Sequence, residues 1–84
     1  MSINTKNTDQ YKKVFGSLLK QIRESKGLSQ LDLAARCGME KSSISRIENG
    51  RTNITLTSAV LLSSSLEVPL KMLFDFDVEA TQKN

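Results

Sequence analysis

Three glycines divide the middle of this chain into helix-length segments. Gly27, Gly38 and Gly50 each follow a stretch in which apolar residues recur at spacings of three and four. A glycine in that position favours the left-handed end of a helix, because it reaches positive φ without a steric penalty. No alternating run of apolar and polar residues, the pattern of a half-buried strand, competes with this spacing. The sequence therefore predicts an all-α fold.

The first predicted helix covers about residues 9–26. Residues 1–8 are polar and aperiodic, so we expect them to form a flexible arm. Beyond them, one apolar stripe of helical spacing indicates a helix face directed at a core. The residues of that stripe are Tyr11, Val14, Phe15, Leu18, Leu19 and Ile22.

Two shorter helices are predicted on either side of Gly38. Ser29 is expected to cap the first of them, with Asp32 as the acidic partner of a capping box. The second lies in the stretch GMEKSSISRIENG, residues 38–50, and begins at Glu40 or Lys41 because glutamate is a poor N-cap. The inward residues of the two helices are Leu33, Ala34, Cys37, Ile44 and Ile47.

The C-terminal region of the predicted fold contains two more helices. Thr55 is a suitable cap for a fourth helix, and Pro69 fits the first turn of a fifth, PLKMLF. The expected inward residues of the fourth helix are Leu56, Ala59, Leu62 and Leu66. We assign one compact five-helix domain to residues 9–76 and a flexible tail to residues 77–84.

The composition argues against catalysis and metal binding. The 84-residue chain contains no histidine and a single cysteine, Cys37, so the commonest general base and the usual sets of zinc ligands are missing. We therefore expect no enzyme, no metal and no cofactor. The lone thiol suits a reducing cytoplasm. The first ten residues lack the apolar segment of a signal peptide, and no apolar run reaches the length of a membrane span.

Charge is distributed unevenly along the chain. Residues 1–54 hold ten basic and five acidic side chains, whereas residues 55–84 hold two basic and four acidic ones. The net charges of these two segments are therefore +5 and −2, respectively. A basic surface on residues 1–54 is suited to a polyanion such as DNA, although an excess of this size is also found on ordinary solvated surfaces.

The two helices around Gly38 have the pattern of a helix-turn-helix, at about residues 30–49. Ala34 is small where the two helices must cross closely, and Gly38 lies where the turn requires positive φ. The apolar residues that join the pair to the first helix are Leu33, Cys37, Met39, Ile44 and Ile47. Each feature alone is weak, but their fixed offsets make the combination specific.

The stretch GLSQLDLAARCGMEKSSISRIENGRTNITL resembles the lambda-repressor/Cro type of helix-turn-helix, in the Xre-like family of bacterial and phage regulators. Its C-terminal end, SRIENGRTNITL, also resembles the restriction–modification controller proteins, which are small members of that family. The resemblance extends from about Phe15 to Phe74. It implies a five-helix domain that is usually a dimer and binds double-stranded operator DNA.

The resemblance also gives roles to particular residues. The outward face of the third helix becomes the surface that reads bases in the major groove, where arginine and lysine reach guanine and serine hydroxyls discriminate weakly. The base-contacting residues implied are Lys41, Ser42, Ser43, Ser45 and Arg46. DNA backbone contacts are implied for Gln30, Arg51, Thr52 and Asn53, and a structural ion pair for Arg23 and Glu48.

Some apolar residues exceed what a core of this size needs. Val60 and Leu61 flank the inward set of the fourth helix, and Met72 and Phe76 lie around the fifth. A helix that is apolar on more than one side is usually buried twice. We therefore predict that these four residues form a homodimer interface; the alternative is that they pack within one chain.

Two classes of function remain open from the sequence. The leading one is a dimeric, sequence-specific transcription regulator acting on a roughly palindromic operator, with no small-molecule ligand expected. The other is an antitoxin or adaptor that uses the same fold mainly to bind a partner protein. Among regulators, the sequence does not separate a restriction–modification controller from a phage or chromosomal repressor.

Overall fold

The computed structural model describes residues 5–78, with side chains from residue 8 onward. Within that range the chain forms four α-helices and one 3-10 helix: α1 (Thr5–Ser25), α2 (Gln30–Cys37), α3 (Lys41–Glu48), α4 (Leu56–Leu66) and the 3-10 helix (Leu70–Phe74). None of the residues described is in a strand, which confirms the all-α prediction for them. The fifth predicted helix is a single short 3-10 segment rather than an α-helix.

Both ends of the folded region extend beyond the predicted boundaries. α1 begins at Thr5, so residues 5–8 of the predicted arm are helical. This first turn is polar, and apolar spacing cannot detect it. At the other end Val78 is only 4% exposed, which places the start of the predicted tail inside the folded region. The rest of the predicted arm and tail, residues 1–4 and 79–84, lies outside the described residues.

Short-range hydrogen bonds fix the ends of α2 and α4. The Ser29 hydroxyl accepts from the N–H of Asp32 at 2.9 Å, and the Asp32 carboxylate accepts from the N–H of Ser29 at 2.9 Å. These two bonds form the predicted capping box, and the bond from the Ser29 backbone N–H to the Asp32 carboxylate lowers the pKa of Asp32. Gly38 ends α2 with φ of 69°. At the start of α4, the Thr55 hydroxyl accepts from the N–H of Ser58 at 3.1 Å.

The core is one cluster that draws on every helix. α1 packs on α3 and on the 3-10 helix, while α2 packs on α3 and α4. The buried residues of the cluster are Phe15, Leu19, Ile22, Leu33, Ala34, Cys37, Ile44, Ile47, Leu62, Leu66 and Leu73. Helical spacing therefore predicted most of these positions correctly. α3 packs against both α1 and α2 through one of its faces, and its other face is not part of the core.

Two residues predicted to face inward lie at the surface instead. Leu56 is 71% exposed because it is the first residue of α4, which packs through Ala59, Leu62 and Leu66 further along. Tyr11 is also exposed, with its ring next to that of Phe76 at a centroid distance of 6.3 Å. Helical spacing gives the direction of a side chain but not where along the helix its packing partners begin.

Close approach of α1 to the end of α3 depends on two glycines. A Cβ atom at Gly16 would meet the carbonyl oxygen of Ile47 and would lie 2.6 Å from that of Glu48. A Cβ atom at Gly50 would lie 2.8 Å from the Cα atom of Lys13, and Gly50 has φ of 72°. At Gly16 all the nearest atoms are backbone, and at Gly50 they include the backbone of Lys13, so they cannot move aside without shifting a helix.

This geometry predicts that Gly16→Ala destabilises the protein. Alanine in place of glycine inside an unobstructed helix raises the stability of the protein by about 0.5–1 kcal/mol. A loss of stability in Gly16→Ala would therefore indicate the close contact between α1 and α3. Overpacking against the α3 carbonyl groups should instead cost about 1–3 kcal/mol in the free energy of unfolding, measured by urea denaturation. Ser17→Ala, at an exposed position one residue along, is the control and should change stability by less than about 0.5 kcal/mol. A Gly16→Ala variant that is more stable than the parent would contradict the close approach.

Candidate nucleic-acid interface

α3 is apolar on one side and open on the other. Ile44 and Ile47 are buried against the core, whereas Lys41, Ser42 and Arg46 are exposed. The last three belong to the set predicted to read bases, and the structure places them on the solvent side of the helix. Their side chains supply one ammonium group, one hydroxyl and one guanidinium, all of which donate hydrogen bonds.

The other two residues of the predicted base-reading set are less accessible. Ser43 and Ser45 are half-buried rather than fully outward. The Ser45 hydroxyl accepts from the side-chain amide of Asn49 at 3.4 Å. Arg46 Nη2 lies 3.5 Å from the Ser43 hydroxyl, a long contact that leaves the guanidinium free to reorient.

The start of α3 and the loop after it meet on the same open side. α3 begins at Lys41, with Glu40 as an N-cap residue whose side chain makes no capping hydrogen bond. An open cavity of about 380 Å³ lies next to Glu40 and is lined also by Ser43, Arg46, Thr52 and Ser58. Thr52, predicted to contact the DNA backbone, therefore lines the same cavity as Ser43 and Arg46, two of the predicted base-reading residues. Ser58, from α4, is a neighbour that sequence spacing did not indicate.

The loop after α3 is attached to the end of that helix through its backbone. The N–H of Arg51 donates to the carbonyl oxygen of Arg46 at 2.9 Å. The side chains of Arg51 and Asn53 are exposed, and that of Thr52 is half-buried. The structure thus gives this loop a fixed position relative to α3, with two of its three predicted backbone-contacting residues open to solvent.

Arg23 and Glu48 form a buried ion pair between α1 and α3. Arg23 Nε lies 2.6 Å from Glu48 Oε2, and Arg23 Nη2 donates to Glu48 Oε1 at 3.1 Å. Arg23 Nη1 donates to the carbonyl oxygen of Leu28 at 2.7 Å, in the connection between α1 and α2. The hydrogen bond with Glu48 raises the pKa of Arg23. This is the pairing that the resemblance implied, and no buried side-chain nitrogen or oxygen among the described residues lacks a hydrogen-bond partner.

Gln30 is connected to the same pair. It is the first residue of α2, is half-buried, and its side-chain Nε2 donates to Glu48 Oε1 at 3.0 Å. The sequence predicted Gln30 as a DNA backbone contact but did not indicate its contact with Glu48. The two residues are 18 positions apart on different helices, so neither capping nor helical spacing relates them.

The residues predicted for a dimer interface divide into two groups. Leu61 and Met72 are 42% and 41% exposed, and Val60 is similarly open. Phe76 is half-buried and packs against the core, with its ring near those of Tyr11 and Phe74. Phe76 therefore makes contacts within the chain, because the segment after the 3-10 helix returns to α1, and its part in a dimer interface stays a prediction.

Comparisons with known proteins agree with this arrangement. The family model HTH_3, described as Helix-turn-helix, matches residues 19–73. The control protein C.BamHI from Bacillus amyloliquefaciens is 39% identical over 70 residues, which cover 82% of this chain and 86% of the relative.

Two solved structures are similar in fold as well as sequence. The restriction–modification controller protein C.AhdI from Aeromonas hydrophila has a TM-score of 0.73 and 34% identity, with 80% of this chain and 98% of that chain covered. SinR, a master regulator for biofilm formation solved in complex with DNA, has a TM-score of 0.68 and 37% identity, covering 73% of this chain and 98% of that chain.

These matches cover the helix-turn-helix and the helices around it, and the matched family indicates no enzyme class. Over residues 5–78, no helix has both the length and the apolar character needed to cross a membrane. The exposed polar face of α3, anchored from behind by α1 and α2, is the feature that a helix-turn-helix protein presents to DNA. The chain belongs to the Xre-type helix-turn-helix family of DNA-binding transcription regulators.

Proposed function

We propose that this regulator is the controller protein of a restriction–modification system and binds a roughly palindromic operator as a homodimer. The observation that carries DNA binding is the open face of α3, where Lys41, Ser42 and Arg46 are exposed and no large apolar side chain intervenes. The controller assignment is supported by relatives of that name, C.BamHI and C.AhdI, which this chain matches over most of both lengths.

In this proposal α3 lies in the major groove. Arg46 is long enough to donate two hydrogen bonds to O6 and N7 of one guanine, and Lys41 can donate to the same acceptors as a point charge. The serines are small, so the helix backbone can approach the base edges closely. Ser43 and Ser45 are half-buried and therefore contribute less to contacts with the bases than the exposed Ser42 does.

Backbone contacts on both sides of α3 fix its register in the groove. Gln30 lies at the start of α2, and a helix N-terminus attracts phosphate through its dipole and through first-turn N–H groups that no side chain caps. Arg51, Thr52 and Asn53 follow the other end of α3. Contacts of this kind hold the protein on the duplex without reading its sequence.

A homodimer would supply the second half of the site. One recognition helix covers too few base pairs to select a site among many competitors. Two helices related by a twofold axis, about 34 Å apart, read two half-sites one DNA turn apart. Val60, Leu61 and Met72 are the exposed apolar residues available for such an axis, in the segment whose acidic balance is unsuited to DNA.

Selection of bound sequences from random duplexes tests the proposal directly. The expected result is an inverted repeat whose half-site centres are about one helical turn apart. Restriction and modification genes beside the gene for this chain would support the controller assignment. Absence of any sequence preference, together with stable binding to a second protein, would favour the antitoxin or adaptor function instead.

Arg46→Ala should relax specificity at one base pair in each half-site. The loss of a bidentate contact with guanine is expected to cost about 1–3 kcal/mol in binding free energy. Repeating the selection with the variant should show one degenerate position per half-site, while the rest of the repeat is unchanged. A uniform loss of affinity on all sequences would make Arg46 a phosphate contact and contradict its base-reading role.

Arg51→Ala should weaken binding to all sequences and flatten its salt dependence. Each cation that neutralises a phosphate contributes about 0.9 to the slope of log K against log salt concentration. The slope of the variant should therefore be smaller by about that amount. Lys20→Ala, at an exposed cation on α1, is the matched control and should leave the slope unchanged. An unchanged slope for Arg51→Ala would remove Arg51 from the phosphate contacts.

Replacing both Leu61 and Met72 by glutamate should give a folded monomer. Both residues are exposed within one chain, so the substitutions leave the core intact, but a symmetric interface would bring like charges together. Sedimentation should show the monomer, circular dichroism should show parental helix content, and DNA binding should become weak and independent of sequence. Leu56→Glu is the control, because Leu56 is exposed on α4 but outside the proposed interface. A double variant that remains dimeric would place the interface elsewhere.

A further inference from the structure

The buried ion pair has a third partner that its structural role does not require. Glu48 accepts hydrogen bonds from Arg23 and also from Gln30, which lies on a different helix and at the proposed DNA surface. We propose that Glu48 is a positioning residue for DNA binding, and that its carboxylate holds the side-chain amide of Gln30 ready for a phosphate. This inference rests on the proposed function, because it assumes that Gln30 contacts the DNA backbone.

The carboxylate of Glu48 is itself held firmly. Its side chain is 2% exposed and that of Arg23 is 7% exposed. Arg23 binds both carboxylate oxygens, at 2.6 Å and 3.1 Å, and is fixed in turn by the carbonyl oxygen of Leu28 at 2.7 Å. Since these bonds come from α1 and from the connection to α2, the position of the carboxylate is set by the fold before any DNA arrives.

A carboxylate partner determines which way the Gln30 amide faces. An ionised carboxylate only accepts hydrogen bonds, so the amide must present its N–H₂ group and not its oxygen to Glu48. The N–H₂ group has two hydrogens, and the bond of 3.0 Å to Glu48 Oε1 uses one. The second remains available for a phosphate oxygen next to the first turn of α2. A side chain ordered in advance loses less conformational entropy on binding.

Arg23 explains why a negative charge is tolerated at this position. A lone carboxylate close to the DNA backbone would repel phosphate, and burial would make it costly. Paired with the Arg23 guanidinium, Glu48 adds no net charge to the interface. The pair therefore provides a strong acceptor for Gln30 without electrostatic opposition to DNA.

Two matched double replacements separate positioning from structural support. R23M/E48L replaces the pair by apolar side chains, an exchange that buried ion pairs often tolerate. R23M/E48Q also removes both charges but keeps an oxygen acceptor for Gln30. Gln30→Ala is then made in the parent and in each background, and affinity for the selected operator is measured at one salt concentration. Arg51→Ala in the same three backgrounds is the control for a backbone contact that does not involve Glu48.

The expected result is that the effect of Gln30→Ala on operator affinity depends on whether residue 48 keeps an oxygen acceptor. Gln30→Ala should weaken binding about fivefold in the parent and in R23M/E48Q, since it removes one hydrogen bond. In R23M/E48L it should have no measurable effect, because the amide is no longer held there. Arg51→Ala should produce the same fold loss in all three backgrounds.

Other outcomes overturn the inference in distinguishable ways. Equal loss from Gln30→Ala in all three backgrounds would leave Gln30 as a phosphate contact and refute positioning by Glu48. No loss in the parent would refute the proposed phosphate contact of Gln30, and positioning with it, while the base-reading role of α3 would be unaffected. If circular dichroism shows that the double replacements do not fold, NMR of the Gln30 side-chain amide in the free parent tests the inference instead. Slow hydrogen exchange and restricted motion of that amide would support positioning by Glu48. Fast exchange with free rotation would overturn it.

Discussion

The contact between α1 and α3 determines where the recognition helix points. α3 has eight residues and is too short to be stable alone, so its orientation comes from what it packs against. At Gly16 the backbone of α1 approaches the carbonyl groups at the end of α3 more closely than any side chain would allow. A few residues along α1, Arg23 binds Glu48 at that same end. With α3 held from behind in this way, its opposite face is left free for DNA.

The Arg23–Glu48 pair is better understood as a geometric constraint than as a source of stability. Taking both charges out of water costs free energy that their attraction only partly returns, and apolar replacements of buried pairs are often tolerated. What an apolar pair could not reproduce is direction, because bidentate hydrogen bonds fix both side chains in one arrangement. That arrangement reaches from α1 to α3, and through Gln30 to the first turn of α2. Architecture and proposed backbone contact therefore share one set of hydrogen bonds.

The surface has an exposed polar face on α3, which is proposed for DNA, and an exposed apolar face, which is proposed for a second chain. The exposed cations near α3 and the exposed apolar residues of α4 and the 3-10 helix belong to different segments of the sequence, with net charges of opposite sign. A chain of 84 residues buries only a thin core, so apolar residues left at its surface are suited to association. Phe76 is only half-buried and also packs within the chain, because the segment after the 3-10 helix folds back towards α1.

The sequence by itself determined the order of the four α-helices, most of the core and the polar face of α3. These features depend on short-range physics: the capping box of Ser29 and Asp32 spans three residues, and helical spacing places Ile44 and Ile47 on one side wherever the helix lies. Only the tertiary structure decided that Leu56 is exposed, that Gly16 must be glycine and that Gln30 is bonded to Glu48. Each of these depends on how close residues from distant regions of the chain come to each other. Neither local hydrogen bonds nor helical periodicity determines that distance.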